Sequence, residues 1–213
     1  MLARRLAASW LIPIDGDAIP EGAILIGHDG RLQAVGPDAL VPRPPGIPAV
    51  HLGSAAILPG LVNTHTHLEL TGFAGQVQQT EFASWIRELR ELKTTRTAAD
   101  YLVAARRGLA DCHAAGVTTI ADTGDSGAVA YSLAESGGSG IAYQEVFGPH
   151  PHQADESLAQ LQRRVKELGC LSTERLRIGV SPHSPYTVSA RLFQLVADWA
   201  RKEQLPNPSP DLL

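Results

Sequence analysis

The feature that most limits the fold is an alternation of short apolar runs with amphipathic segments from residue 57 onward. Four runs are typical of buried strands, and apolar residues at helical spacing follow each of them; the runs are 57–62, 117–121, 140–147 and 176–180. Thr97 and Ser189 precede two of the helical segments and are residue types that cap helix N-termini. Such alternation is typical of a parallel sheet with right-handed crossovers, so the sequence predicts the α/β class.

The number of strand–helix units limits the architecture further. A closed barrel of eight such units needs about 250 residues, whereas this chain has 213 residues and its first 56 lie outside the alternation. We therefore expect about four units, the N-terminal portion of a TIM (β/α)8 barrel. Pro206, Pro208 and Pro210 stand where a fifth strand is due, and proline is excluded from central strands. These observations predict an N-terminal fragment of a longer barrel.

The first 56 residues have a different, β-rich pattern. The apolar run 22–27 is followed by Asp29-Gly30, a strong hairpin signal, and by a second run, 31–35. A proline-rich loop covers 41–48, and 51–56 is predicted as one more short strand. The sequence thus predicts two domains, residues 1–56 and residues 57–213.

Composition narrows the classes of partner. The formal net charge is −4, so the chain lacks the excess of basic residues that is typical of nucleic-acid-binding proteins. No apolar run reaches the roughly 18 residues of a membrane-spanning helix. Two cysteines cannot form a disulfide framework, which favours a reducing, cytoplasmic location. We expect a small-molecule substrate, no nucleic-acid or membrane partner, and a homo-oligomer as one option.

The most specific chemical signal is the pair His65 and His67 at the end of the apolar run that contains Pro59-Gly60. Residues at i and i+2 on an extended strand point to the same side. At the carboxyl end of a barrel strand, that side faces the mouth where active sites lie. Two neutral imidazoles there can bind one Zn²⁺ or Fe²⁺ ion. The alternative is a hydrogen-bonded polar pair without a metal.

Two motifs together resemble the amidohydrolase superfamily. The stretch 57–68, Ile-Leu-Pro-Gly-Leu-Val-Asn-Thr-His-Thr-His-Leu, is similar to its first metal motif. The stretch 181–187, Ser-Pro-His-Ser-Pro-Tyr-Thr, resembles a segment of the chlorohydrolase and aminohydrolase branch, which includes cytosine, guanine and methylthioadenosine/S-adenosylhomocysteine deaminases. The β-rich start resembles the composite β-sandwich that flanks the barrel in that branch.

The resemblance implies roles for matching positions. His65 and His67 correspond to metal ligands, and His183 corresponds to a histidine that contacts the substrate. The family completes its site with a third histidine ligand, a glutamate acid/base, a further histidine and an aspartate, all after later strands. None of these positions exists in this chain, so no catalytic residue is assigned.

The implied chemistry is metal-dependent hydrolysis of a non-peptide carbon–nitrogen bond. The hydantoinase and dihydroorotase branch of the superfamily bridges two metals with a carboxylated lysine after this strand. Segment 176–188 has no lysine, so the resemblance implies one divalent ion, Zn²⁺ first and Fe²⁺ second. The ion lowers the pKa of bound water, and the expected reaction is deamination of a heterocyclic amine or a nucleoside-like substrate. Thr94 stands where nucleoside deaminases of the branch carry a glutamate, which weakens the nucleoside option. Glu88 and Glu91 are expected to be solvated helix charges.

Several alternatives stay open. The chain is an enzyme of this family, a truncated non-catalytic fragment, or a half-barrel that needs a partner chain to form a site. Glu69 either orients a ligand histidine or caps a loop. Asp122 is expected to form a structural hydrogen bond, and Glu145 is a weaker functional candidate. His150 and His152 repeat the His-x-His spacing in a loop, where an exposed pair is expected.

Overall fold

The computed structural model describes residues 2–208, which divide into two compact units at the bond between Gly60 and Leu61. The predicted division into domains 1–56 and 57–213, which rests on the change of sequence pattern, stays a prediction. No helix in the described range is both long enough and apolar enough to cross a bilayer.

The first unit contains a five-stranded mixed sheet. Its strands are β1 Arg4–Leu11, β2 Ile19–Ile26, β3 Leu32–Pro37, β4 Ala49–His51 and β5 Ala56–Ile57. The order is β3-β2-β1-β4, with β5 also paired to β1; β2 runs antiparallel to β1 and β3, whereas β4 and β5 run parallel to β1. The predicted hairpin is confirmed, since the Gly27 amide donates to the Arg31 carbonyl oxygen at 2.9 Å. Assignment of this sheet to a β-sandwich stays a prediction.

The predicted strand 51–56 is wrong. β4 ends at His51, and the chain turns through Gly53 before β5 begins at Ala56. The Gly53 amide donates to Nδ1 of His51 at 3.0 Å, and Gly53 adopts φ of 68°, a left-handed conformation that favours glycine. This local bond and the turn interrupt the strand.

The second unit is a four-stranded parallel sheet with helices, which confirms the predicted α/β class. Its strands are β6 Leu61–Thr66, β7 Val117–Gly124, β8 Ser139–Val146 and β9 Leu176–Pro182, in the order β6-β7-β8-β9. Its helices are α1 Phe82–Thr94, α2 Ala98–Ala114, α3 Ala128–Ser136, α4 Ala154–Gly169 and α5 Ala190–Lys202, with 3-10 segments at Leu68–Phe73 and Pro151–Gln153.

The predicted strand 57–62 is also wrong in its bounds. Ile57 belongs to β5, where it pairs with Leu11, and β6 begins only at Leu61. Pro59 between them has no amide hydrogen to donate, so a continuous strand cannot pass through it with a complete ladder. β6 also ends at Thr66 rather than at residue 62, so His65 lies inside β6 and His67 follows its last residue directly.

The helix caps follow the sequence prediction. Thr97 and Asp100 form a reciprocal capping box at the start of α2, and the Ser189 hydroxyl accepts from the Leu192 amide at the start of α5. After α5 the Pro206 carbonyl oxygen accepts from the Val180 amide in β9 at 2.9 Å. The described residues from 206 to 208 form no strand, and Pro210 lies outside the described range.

The two faces of the parallel sheet differ in burial. In β8 the residues that face the helices are buried, and they alternate with half-buried residues. The helix-facing side belongs to the main apolar core, which includes Ile120, Ala142 and Val180 together with Leu109, Leu133, Leu161 and Leu192 from the helices. We call the opposite side the inner face; it carries His65, Thr123, Tyr143, Glu145 and Ser181, as the strand register requires.

Candidate metal and substrate site

The two histidines of the predicted metal motif lie together at the carboxyl end of β6. Their ring centroids are 5.1 Å apart, and the ring planes are nearly perpendicular at 89°. His65 is exposed and His67 is half-buried. The strand therefore presents two imidazoles on one side, as the i, i+2 spacing predicts.

The surroundings of His67 favour the neutral imidazole that a metal requires. Burial lowers its pKa, and the neighbouring His65 lowers it further, whereas a hydrogen bond with the Thr123 backbone acts in the opposite direction. A ring nitrogen bonded to a backbone group leaves the other nitrogen for a metal ion, an arrangement common among metal-ligating histidines. The chemistry of this donor pair fits a divalent transition metal.

The described residues supply only part of a metal site. Between residues 2 and 208, no group of three or more His, Cys, Asp or Glu side chains is arranged to hold a metal ion. Catalytic zinc sites use three protein ligands and keep one position for water or substrate. His65 and His67 are therefore two ligands of an incomplete set.

His183 follows the end of β9 and is held in a defined orientation. Its Nδ1 lies 2.8 Å from the Thr187 hydroxyl and 3.0 Å from the Ser184 hydroxyl, and its ring packs on Phe147 with centroids 4.8 Å apart. Burial lowers its pKa, and the charges of Lys93 and Arg90 lower it further. His183 also acts electrostatically on His67. The three predicted histidines thus lie at the same end of the sheet.

Glu69 caps a loop. Its carboxylate is 2% exposed and accepts from the backbone amides of Asp125 and Ser126, at 3.3 and 3.2 Å, and from the Ser126 hydroxyl. Burial is the main cause that raises its pKa. These bonds hold the segment after β6 against the loop after β7. Of the two predicted roles for Glu69, capping a loop is therefore the one that the structure shows.

Lys93 and Asp125 complete this network, and the sequence analysis named neither residue. Lys93 Nζ lies 2.8 Å from Asp125 Oδ1 and 3.9 Å from Glu69 Oε1. Burial acts to raise the pKa of Asp125, but the bond to Lys93 prevails and lowers it. The one available signal was the position of Asp125 directly after a strand, at the end of the sheet where sites form.

Glu88 corrects another expectation. Instead of being a solvated charge, it is half-buried and accepts from the backbone amides of Gln78 and Gln79, both at 3.2 Å. Glu91 is exposed, as expected. Glu88 therefore fixes the loop that precedes α1.

His150 and His152 are exposed, as predicted, with nearly parallel rings 5.5 Å apart.

Asp122 forms the structural hydrogen bond that the sequence predicts, although it lies within β7. Its Oδ2 accepts from the Leu68 amide at 2.7 Å. Burial raises its pKa from the ordinary 3.8 to about 8, and the charges of Glu69 and Glu145 add to the shift. Because Leu68 follows His67 directly, this bond fixes the backbone at the metal motif.

The raised pKa of Asp122 predicts a pH-dependent stability. Between about pH 4 and 8 the unfolded chain loses this proton and the folded chain keeps it, so the free energy of unfolding falls as the pH rises. One such group contributes at most about 1.4 kcal/mol per pH unit. In Asp122→Asn we expect a shallower fall, measured by urea unfolding at several pH values. Asp111→Asn, on the exposed side of α2, is the control; equal slopes in all three proteins would contradict the prediction.

Residues 56–206 match the profile of the amidohydrolase family, and the chain therefore belongs to that family. Among its relatives is the aminodeoxyfutalosine deaminase of Deinococcus radiodurans, which is 34% identical over 90% of this chain and 44% of its own length. Another is the 5'-deoxyadenosine deaminase of Methanothermobacter thermautotrophicus, 30% identical over 90% of this chain and 45% of its own length. The chain thus spans about half the length of the curated relatives it matches.

Solved structures confirm the fold. The aminofutalosine deaminase of Helicobacter pylori, in complex with methylthio-coformycin, superposes with a TM-score of 0.83 at 18% identity, over 96% of this chain and 50% of that one. A zinc-bound adenosine deaminase of Xanthomonas campestris gives 0.82 at 20% identity, over 97% and 48%. The described residues match the N-terminal portion of the amidohydrolase barrel, as the sequence predicted.

Proposed function

We propose that this chain forms part of the active site of a metal-dependent hydrolase that deaminates a nucleoside-like heterocyclic amine. The observation that carries the proposal is the arrangement of His65, His67 and His183 at the carboxyl end of one parallel sheet. The relatives support the reaction, because they include deaminases named for aminodeoxyfutalosine and 5'-deoxyadenosine. These names favour a nucleoside substrate, although Thr94 stands where nucleoside deaminases of the branch carry a glutamate.

In this proposal His65 and His67 hold one divalent ion, Zn²⁺ first and Fe²⁺ as the alternative. The zinc in the similar Xanthomonas campestris enzyme supports this choice. The ion, when bound, acts as a Lewis acid that activates water for hydrolysis. The bond from the Leu68 amide to Asp122 keeps the backbone next to His67 in place. The described residues bring together no third ligand for this ion.

His183 is proposed to contact the substrate. Because Nδ1 is bonded to the Ser184 and Thr187 hydroxyls, Nε2 is the ring nitrogen left for a substrate. Packing on Phe147 restricts the ring, so the substrate meets a donor or acceptor that is already oriented. A small molecule is the proposed partner, and a homo-oligomer is retained as a proposal.

A second candidate follows from the incomplete ligand set. With two ligands in the described residues, these 213 residues alone would bind metal weakly and would need a partner chain, or further sequence, to complete the site. In this case the segment contributes the first metal ligands and one substrate contact. It does not catalyse the reaction by itself.

One experiment separates these functions. Ammonia release from adenosine, 5'-deoxyadenosine and guanine is measured with the protein in the length that its cell produces, and with the 213 residues alone. For the protein in the length that its cell produces, we expect deamination of a nucleoside that stops on treatment with a chelator and returns with Zn²⁺. For the 213 residues alone, we expect no deamination. Release that is insensitive to the chelator, or absent for every substrate, would contradict the proposed deaminase. Equal activity of the two proteins would contradict the second candidate.

A further inference from the structure

The hydroxyl group of Thr187 belongs to a closed triangle of polar atoms around the His183 ring. It lies 2.8 Å from Nδ1 of His183 and 2.8 Å from the Ser184 hydroxyl, which in turn lies 3.0 Å from the same Nδ1. The Thr187 hydroxyl also donates to the backbone carbonyl oxygen of Ser184 at 3.2 Å. Its proton therefore has an acceptor outside the triangle, which leaves the oxygen free to accept.

The backbone around this triangle is held by several hydrogen bonds. The Ser184 carbonyl oxygen accepts from the amides of Thr187 and Val188, both at 3.0 Å, and the Thr187 carbonyl oxygen accepts from the Gly148 amide at 2.9 Å. Val188 is buried. The place of the Thr187 hydroxyl beside the His183 ring is thus set by the fold of this segment.

The number of protons shows which ring nitrogen of His183 carries the hydrogen. Each contact of the triangle needs one proton between its two atoms, and each hydroxyl supplies only one. With a bare Nδ1, two protons serve three contacts, so one contact sets lone pairs against each other at 3.0 Å or less. With a hydrogen on Nδ1, the ring donates to Thr187 and Ser184 as a three-centre bond, and Ser184 donates to Thr187.

A hydrogen on Nδ1 determines what the other ring nitrogen can do. Burial lowers the pKa of His183, and the charges of Lys93 and Arg90 lower it further, which favours the neutral ring. In a neutral imidazole only one nitrogen carries a hydrogen, and the other has a lone pair. Nε2 of His183 is therefore a hydrogen-bond acceptor.

We propose that Thr187 is a positioning residue that holds His183 in the tautomer with hydrogen on Nδ1, so that Nε2 accepts from a hydrogen-bearing group of the substrate. This inference rests on the proposed deaminase function and deepens it. An amino or hydroxyl group of a nucleoside fits at Nε2, whereas a carbonyl oxygen or an unprotonated ring nitrogen would set two lone pairs against each other.

The tautomer is measured from the nitrogen NMR signals of the metal-loaded protein in the length its cell produces, with His183→Asn to assign them. We expect a protonated Nδ1 and an unprotonated Nε2. Thr187→Val keeps the shape of the side chain but removes the acceptor, so part of the protein should carry the hydrogen on Nε2; Thr187→Ser should restore the wild-type spectrum. A protonated Nε2 in the wild type would overturn the proposal.

Kinetics with adenosine test whether the tautomer matters for the reaction. Thr187→Val should lower kcat/KM about tenfold, the effect of one hydrogen bond, and Thr187→Ser should recover it. Thr95→Val is the matched control, because Thr95 is exposed and its hydroxyl also donates to a carbonyl oxygen three residues earlier, that of Leu92. A changed tautomer with unchanged kcat/KM, at equal metal content and melting temperature, would overturn the positioning role. If Thr187→Val does not fold, the wild-type spectrum alone decides the result.

Inosine, the product of adenosine deamination, tests the group that meets Nε2. At saturating inosine we expect the Nε2 signal to move while the hydrogen stays on Nδ1. Transfer of the hydrogen to Nε2, or an unmoved Nε2 signal, would overturn the acceptor role. A wild-type protein that deaminates neither adenosine nor 5'-deoxyadenosine would overturn the deaminase proposal, whereas the spectrum of the free protein would still decide the tautomer of His183.

Discussion

His67→Ala is expected to remove bound metal and to lower the deamination rate of the native-length protein by more than about 100-fold. That factor is the upper range for losing a group that merely supports a metal ligand, and loss of the ligand itself should cost more. His67 is half-buried, and the bond from the Leu68 amide to Asp122 holds the backbone directly after it, so its position is fixed by the fold. Metal per chain by elemental analysis and ammonia release are the measurements. His65→Ala should give the same result.

The chain supplies a matched control for this prediction. His150 and His152 have the same i, i+2 spacing and a similar centroid separation of 5.5 Å, but both are exposed and follow β8 in a loop. His150→Ala should therefore keep the metal and the activity. Retention of metal by His67→Ala at the wild-type level, with an unchanged circular dichroism spectrum, would exclude His67 as a ligand.

The parts of the fold that sequence predicts well are those determined by local patterns. The predicted strands 117–121 and 176–180 correspond to β7 and β9, and Thr97 and Ser189 cap helices as predicted. In each case the deciding interaction joins residues close in the chain or depends on the apolar pattern alone. The histidine pair was predictable for the same reason, because its geometry follows from two-residue periodicity.

The errors occur where a distant partner or a single backbone group decides the outcome. The start of β6 depends on Pro59, which separates a strand paired with β1 from a strand paired with β7. Glu69 could not be assigned from sequence because its partners, Asp125 and Ser126, are more than 50 positions away. Their proximity requires the strand order β6-β7-β8-β9, which brings the segments after β6 and β7 to the same sheet edge.

Glycine at position 140 should be essential for the parallel sheet. Gly140 adopts φ of 151°, which disfavours other residues, and it pairs in register with Ile120 of β7. A Cβ atom at Gly140 would overlap the carbonyl oxygen of Ile120, and this backbone atom cannot move without separating the two strands. In Gly140→Ala we expect the free energy of unfolding to fall by about 3 kcal/mol or more, from backbone strain and overpacking together.

Urea unfolding followed by far-UV circular dichroism measures this loss, and Gly169→Ala is the control. Gly169 is the last residue of α4, has no left-handed φ, and no atom lies within 4 Å of its added Cβ. Its replacement should change stability by less than about 1 kcal/mol, in the stabilising direction. Since β7 pairs with β6 and β8 pairs with β9, a forced separation at Gly140 should also change the distance between the metal pair and His183. Equal stabilities of the two alanine variants would show that the β7–β8 interface tolerates a side chain, and the close approach would then not determine the sheet geometry.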